Sequence, residues 1–310
     1  MDEIAIRTEG LSRDFNGLRA VDHLTLEVPA GAIFGFLGSN GSGKTTTINL
    51  LLGLLEPTQG RAEVLGFDTV AQSDEIRARV GALLEHNGLY EQMTAEANLE
   101  FYARAWRLPA DERTARAKEL LTDLGFWERR DEWVARRSRG MKQKLAMART
   151  LVHRPPLVFL DEPTAGLDVV AATALRDDLA DLVSKEGVTV FLTTHNMVEA
   201  ERLCSLVAVI REGKLAAVGH PDELRARSGG PRLEIVGRGF TDSVVELLRT
   251  RWEVVSTGVE NGRLTVELND ETDTSILVNL VVREGVQVEE VHRGKATLEE
   301  VFLTLMEEDR

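Results

Sequence analysis

Short apolar runs recur along the first 220 residues, at Ala32–Leu37, Leu157–Leu160, Val188–Thr193 and Leu206–Arg211. Each is bounded by a turn or a helical stretch, the pattern of strands buried on both faces of a parallel sheet. Ile48, Leu51, Leu52 and Leu55 instead follow the i, i+3, i+4, i+7 spacing of a helix packed on such a sheet. Glu56-Pro57-Thr58-Gln59-Gly60 stops that helix, and Glu212-Gly213 predicts the turn of a closing hairpin. From about residue 87 to 137 the pattern turns helical and aromatic, with Tyr90, Phe101, Tyr102, Trp106, Phe126, Trp127 and Trp133. A helical insertion is expected there, with most of these rings in the core and one or two facing a partner.

Beyond Arg227-Ser228-Gly229-Gly230-Pro231, a linker by composition, the period changes. Strand 232–237, helix 241–251, strand 253–258, strand 263–268, helix 272–283 and strand 286–292 follow in the order βαββαβ, that of a ferredoxin-like unit. A last helix starts at Thr297, which forms a capping box with Glu300 ahead of an apolar face of Leu298, Val301, Phe302 and Leu305. The expected division is an α/β domain over 1–228, with a helical subdomain at about 87–150, and a small α+β domain over 231–310. The second domain carries no catalytic constellation, so a regulatory or interaction role is expected of it.

Composition agrees with this division. A chain of 310 residues fits two domains, and 43% hydrophobic with 28% charged residues supplies a buried core and a hydrated surface. The net charge of −14 argues against broad binding to nucleic acid or anionic lipid. The charge is uneven, however. Residues 231–310 hold 17 acidic and nine basic side chains, whereas Arg129–Arg154 holds nine basic and two acidic. One cysteine, Cys204, cannot form an internal disulfide, and a reducing compartment is expected. The opening MDEIAIRTEG lacks the segments of a secretory signal, and no apolar run nears the roughly 20 residues that cross a bilayer. No direct membrane insertion is expected, so any membrane role passes through a partner.

Two motifs carry chemistry. Gly38-Ser39-Asn40-Gly41-Ser42-Gly43-Lys44-Thr45 matches G-x-x-x-x-G-K-[ST], follows the strand ending at Leu37 and opens a helix, the context of a phosphate-binding P-loop. Its backbone N–H groups and helix amino terminus suit phosphate oxygens, and Thr46 continues the same turn. Lys44 is placed to reach the β- and γ-phosphates and the Thr45 hydroxyl to ligate Mg²⁺. Leu157-Val158-Phe159-Leu160-Asp161-Glu162 is an apolar strand that delivers two carboxylates at its end. Asp161 suits Mg²⁺, and Glu162 suits the water that attacks the γ-phosphate.

Together with Thr193-Thr194-His195 and Ala165-Gly166-Leu167-Asp168, these motifs resemble the ATP-binding cassette (ABC) ATPases, over residues 4–225. Ser138-Arg139-Gly140-Met141-Lys142-Gln143 resembles that family's signature, normally close to LSGGQ. The signature variant and the carboxy-terminal extension resemble one subgroup, the single-cassette ATPase subunits of bacterial drug and antibiotic exporters. The resemblance implies a P-loop NTPase fold for the α/β domain, with ATP and Mg²⁺ as cofactors. It implies that Phe15 stacks on adenine and that His195 senses the γ-phosphate. Asp168 would lie between two cassettes. Ser138, Arg139, Gly140 and Met141 would face ATP bound to the opposite cassette, and some of Arg137, Arg139 and Lys142 are expected to add a basic field there, the alternative being simple solvated helix charges.

One P-loop per chain then calls for a second copy or a paralogue, and a polytopic membrane permease as a separate polypeptide. The location implied is peripheral, at the cytoplasmic face of the membrane. No nucleic-acid partner is expected. A docking groove for the permease is expected near Glu85–Tyr102. Glu85 stands where the family usually has a metal-ligating glutamine, and Arg137, Arg139 and Met141 also depart from the usual signature. A soluble cassette acting on ribosomes or DNA fits less well, since this chain has one cassette, no long coiled coil and an acidic balance. A non-catalytic binding subunit conflicts with the presence of Lys44, Glu162 and His195.

Overall fold

The computed structural model describes residues 3–227, 231–269, 273–294 and 297–307. The chain divides into two compact units, Met1–Val218 and Gly219–Arg310. The first opens with two long antiparallel strands, β1 (Ile4–Phe15) and β2 (Leu18–Pro29). They go beyond the strands read from apolar runs because they alternate: Leu24, Leu26 and Val28 point inward every second residue. After β3 (Ile33–Leu37) and α1 (Lys44–Leu51), β4 (Gln59–Val64) and β5 (Phe67–Asp68) complete a four-stranded sheet in the order β2-β1-β4-β5. Helix α1 stops one turn before Leu55, because Gly53 turns left-handed (φ 62°) and the chain reverses.

The remaining elements of the first unit are α2 (Ser73–Arg77), β6 (Val80–Leu83), α3 (Ala95–Ala105), α4 (Ala110–Asp123), α5 (Arg139–Thr150), β7 (Leu157–Asp161), α6 (Val169–Glu186), β8 (Thr189–Thr194), α7 (Met197–Leu203), β9 (Leu206–Arg211) and β10 (Lys214–Gly219). Six strands form one sheet in the order β10-β9-β3-β8-β7-β6. From β9 to β6 the pairing is parallel, so Leu37, Asp161 and Thr194 end at one edge, with Asp161 beside Thr193. Carboxyl edges of parallel strands are where such sheets bind ligands. The sheet is held by Phe34, Phe36, Phe159 and Phe191, all fully buried, with Phe34 and Phe191 stacked at 5.4 Å. Cys204 is buried behind β3, against Gly35, and burial raises its thiol pKa.

Helices α3, α4 and α5 form the expected helical insertion, but the expectation that most of its rings lie in the core is corrected. Of the seven, Phe126 alone is buried, while Tyr90, Phe101 and Trp133 are exposed. The space between these helices is filled by Leu99, Ala103, Ala117, Leu120, Leu121 and Leu145, which leaves no volume for large rings. The rings pair at the surface instead, Tyr90 edge-on to Phe101 at 4.8 Å and Trp127 beneath Arg130 at 4.4 Å.

The second unit begins with α8 (Pro221–Arg227), which packs on α11 (Leu298–Glu307). The division therefore falls ahead of Arg227–Pro231; residues 228–230 of that segment lie outside the described residues. Between these helices run β11 (Arg232–Arg238), α9 (Asp242–Arg249), β12 (Val254–Glu260), β13 (Arg263–Leu268), α10 (Thr274–Arg283) and β14 (Gln287–Gly294). The sheet is antiparallel in the order β12-β13-β11-β14, which is the ferredoxin-like arrangement. Leu233, Ile235, Leu264 and Val266 on one face pack against Val244, Leu248, Leu277 and Val281 of the two helices. Thr297 and Glu300 bond each other's backbone N–H groups as a capping box, and Leu298 and Val301 are buried. Residue 272 and the Leu305 side chain lie outside the described residues. Among the described residues no helix is long and apolar enough to cross a membrane.

Candidate functional site

The loop between β3 and α1 wraps the amino terminus of α1. Gly43 has φ 108° and lies so close to the Ala20 carbonyl that a Cβ would collide with it, so no other residue fits the turn. Lys44, almost fully buried, donates from Nζ to the carbonyls of Gly38 at 2.9 Å and Ser39 at 3.1 Å. It also stands 3.4 Å from Glu162 Oε1. A phosphate oxygen competes well for this ammonium, because it brings a full charge where the carbonyls bring a dipole.

The carboxyl end of β7 faces this loop. Thr45 Oγ1 donates to Asp161 Oδ2 at 2.9 Å, and Thr193 Oγ1 donates to Asp161 Oδ1 at 2.5 Å. Glu162 follows at φ 48°, a left-handed conformation that costs a non-glycine residue energy and persists only under restraint. Its N–H supplies part of that restraint by donating to the Thr193 carbonyl at 3.1 Å and hydroxyl at 3.0 Å. The carboxylate then lies between Lys44 and His195, whose Nδ1 donates to Oε2 at 3.0 Å. Behind it, buried Glu199 accepts from Thr164 at 2.7 Å and Thr194 at 3.1 Å, joining the loops after β7 and β8.

Lys44, Thr45, Asp161 and Glu162 open on one cleft of about 590 Å³, whose lining does not include His195. Asn40, Gly41, Gly43, Lys44, Thr45 and Thr46 form its floor, with Asp161 and Glu162 on one wall and Glu85 on another. Gly38, Ser39 and Ser42 belong to the loop behind the floor. Phe15 lies apart, at the end of β1, half exposed with the Arg13 guanidinium 4.7 Å above its ring. Thr45 and Asp161 are hard oxygen donors side by side, and Glu85 adds a third near them. Among the described residues no group of three acidic, histidine or cysteine side chains could hold a metal unaided. Thr45 and Asp161 are donors of the kind Mg²⁺ takes when phosphate and water complete its shell.

The signature residues open α5. Ser138 caps the helix by accepting from the Met141 N–H at 3.3 Å, and Gly140 packs against Ala171 of α6. Asp168 caps α6, accepting from the Ala171 N–H at 2.8 Å. Neither Ser138, Gly140, Met141 nor Asp168 lines the cleft of its own chain, whereas Arg139 does. Of the three candidates for the basic field, two are paired within the chain. Arg137 is buried over the Phe126 ring with Nη2 on the Arg129 carbonyl, and Lys142 is paired with Glu91 at 2.6 Å. Both are occupied by partners within the chain. Thr193, Gln143 and Asn87 line or support the cleft; the first two fall within quoted motifs without a role of their own there, and no motif includes Asn87. The parallel register supplies the missing signal for Thr193, since it falls opposite Asp161.

Comparison with known proteins follows the same division. The ABC transporter family pattern matches residues 21–165, and that of the ATP-binding protein DrrA1-3-like C-terminal domain matches residues 219–306. The chain is 36% identical to the daunorubicin resistance ATP-binding protein DrrA3 of Streptomyces coeruleorubidus, over 100% of this chain and 98% of that one. It is 33% identical to the bacitracin transport ATP-binding protein BcrA of Bacillus licheniformis, over 97% of each. Among solved structures, cbiO1 from Clostridium perfringens, part of the ABC transporter complex cbiONQ, superposes with a TM-score of 0.68 and 26% identity, over 73% of this chain and 92% of that one. A dimeric ATP-binding cassette bound to ADP and phosphate shares the fold at a TM-score of 0.62 and 24% identity, over 69% and 98%.

Proposed function

Since the chain belongs to the ABC transporter family, as an ATP-hydrolysing subunit, we propose that it energises a bacterial exporter of drugs, antibiotics or related small molecules. The observation that carries the site assignment is the placement of Glu162, held between Lys44 and His195 at the end of the strand beside the P-loop. The triphosphate seats on the amino terminus of α1, and Lys44 exchanges the Gly38 and Ser39 carbonyls for the β- and γ-phosphates. Thr45 and Asp161, with Glu85 in the same lining, would hold Mg²⁺, which would neutralise charge on the phosphate oxygens. Once Lys44 has turned to phosphate, the Glu162 carboxylate is free to accept a proton from the attacking water. His195 keeps that carboxylate oriented and stands close enough to respond to the γ-phosphate.

Ser138, Gly140, Met141 and Asp168 do not line their own cleft, which suits a split site completed by a second copy or a paralogous cassette. Phe15 is assigned to the adenine. A permease helix is assigned to the apolar groove lined by Leu52, Leu54, Leu84 and Trp106. This places the subunit peripherally, at the cytoplasmic face of the membrane. An E162Q variant is expected to keep ATP affinity and lose about 10²- to 10⁴-fold in hydrolysis, measured by phosphate release and nucleotide titration. Hydrolysis at the native rate would refute the assignment.

A further inference from the structure

The loop leaving Glu162 is gripped from the side by α5. Arg139 Nη2 donates to the Ala165 carbonyl at 3.0 Å, and Gln143 Nε2, one helical turn along, donates to the Pro163 carbonyl at 2.7 Å. Gly166, at φ 70°, lies so close to the guanidinium that a Cβ there would collide with it. The planar group thus rests against bare backbone, a fit that needs arginine on one side and glycine on the other. Ala165 in turn donates its N–H to the Glu162 carbonyl at 3.0 Å. One peptide turn therefore links Arg139 to the residue that holds the catalytic carboxylate.

Arg139 stands out among its neighbours. Arg129, Lys142, Lys144 and Arg154 each pair with a carboxylate and Arg137 and Arg149 with carbonyls elsewhere, while Arg139 lines the cleft and bonds the turn that follows Glu162. It is the first residue of α5, where the Ser138 cap fixes the backbone and hence the reach of the side chain. Its charge lies along the same cleft wall as Glu162.

We propose that Arg139 is a positioning residue for hydrolysis within its own chain: with Gln143 it pins the Pro163–Gly166 turn and so fixes where the Glu162 carboxylate stands. The proposal rests on the reading of the cleft as the ATPase site. A carboxylate held at a left-handed backbone position has other conformations available, and loosening the turn lets it leave the line of attack on the γ-phosphate.

The test compares the purified full-length chain with R139A, R139K and G166A, measuring steady-state hydrolysis of Mg-ATP, ATP KM and thermal unfolding. R139A is expected to lower kcat roughly three- to thirtyfold, a modest misplacement effect, with ATP KM and unfolding temperature nearly unchanged. R139K keeps one donor for the Ala165 carbonyl and should recover part of the loss. G166A expels the guanidinium and adds backbone strain of its own at φ 70°, so it should lower kcat at least as far as R139A, while the double variant should lose less than the sum of the two because they share one contact. A native kcat in R139A overturns the proposal, as does a raised KM at unchanged kcat, which would make Arg139 a phosphate ligand. Fully additive R139A and G166A losses also overturn it. Absence of hydrolysis by the native chain would instead sink the ATPase reading itself, so the two failures are distinguishable.

Discussion

Two charged regions of the first unit, the strand-end cluster around Glu162 and the basic segment Arg129–Arg154, are both dense in ionisable groups but use them differently. In the cluster, Lys44 is held by two backbone carbonyls and a carboxylate at 3.4 Å, contacts that a phosphate can replace. In the basic segment the partners are permanent. Arg149 donates to the Ala82 carbonyl, Arg154 pairs with Glu119 and Lys144 with Asp178. Arg137 is buried, and that burial pulls its guanidinium pKa down. A count of charges says how much field a segment could make. Only the partners say how much of it is left for a ligand.

The sharpest way to break this contrast is at Lys44. A K44A variant should lose about ten- to a hundredfold in ATP affinity, the worth of a charge-assisted bond, in a titration with fluorescent nucleotide. Unchanged affinity would mean that the cluster has no more charge to spare for a ligand than the basic segment. Arg137 gives the next largest effect, on stability rather than binding. R137A should destabilise the fold by about 1–3 kcal/mol through lost packing on Phe126, read by chemical denaturation. R137M should recover most of that, because the native side chain leaves Nε and Nη1 buried without partners. Neither change should alter ATP affinity, and a tenfold loss in R137M would place Arg137 in the ligand's field. The smallest effect is expected at Lys142. Its pair with Glu91 is a surface ion pair, so K142A should shift stability by less than about 1 kcal/mol and leave nucleotide binding unchanged.

The parts of the molecule legible in the sequence are those in which one segment carries its own constraint. The P-loop declares itself because its glycines and lysine are spaced along seven consecutive residues, and β13 is bounded at both ends by its alternation. The capping box of Thr297 and Glu300 is likewise local, spanning four residues of chain. Illegible features depend on partners distant in sequence. Lys142 meets Glu91 across 51 positions, and Thr193 reaches Asp161 across 32. Exposure of Tyr90 and Phe101 follows from how little space three thin helices enclose, which no helical period reports. The basic segment misleads for the same reason: its charges are visible in the sequence, its carbonyl and carboxylate partners are not.

Cys204 has a practical consequence. A thiol reacts with maleimides and disulfide reagents as the thiolate, and this one is buried with its pKa raised, so it stays protonated and out of reach. The native chain is thus chemically silent toward such reagents while folded. A cysteine introduced at exposed Val291 on β14 would be its sole labelling site, giving one adduct by mass spectrometry where the native chain gives none. Spectroscopic probes can then be attached to follow the ATP cycle with every native side chain of the cassette left in place.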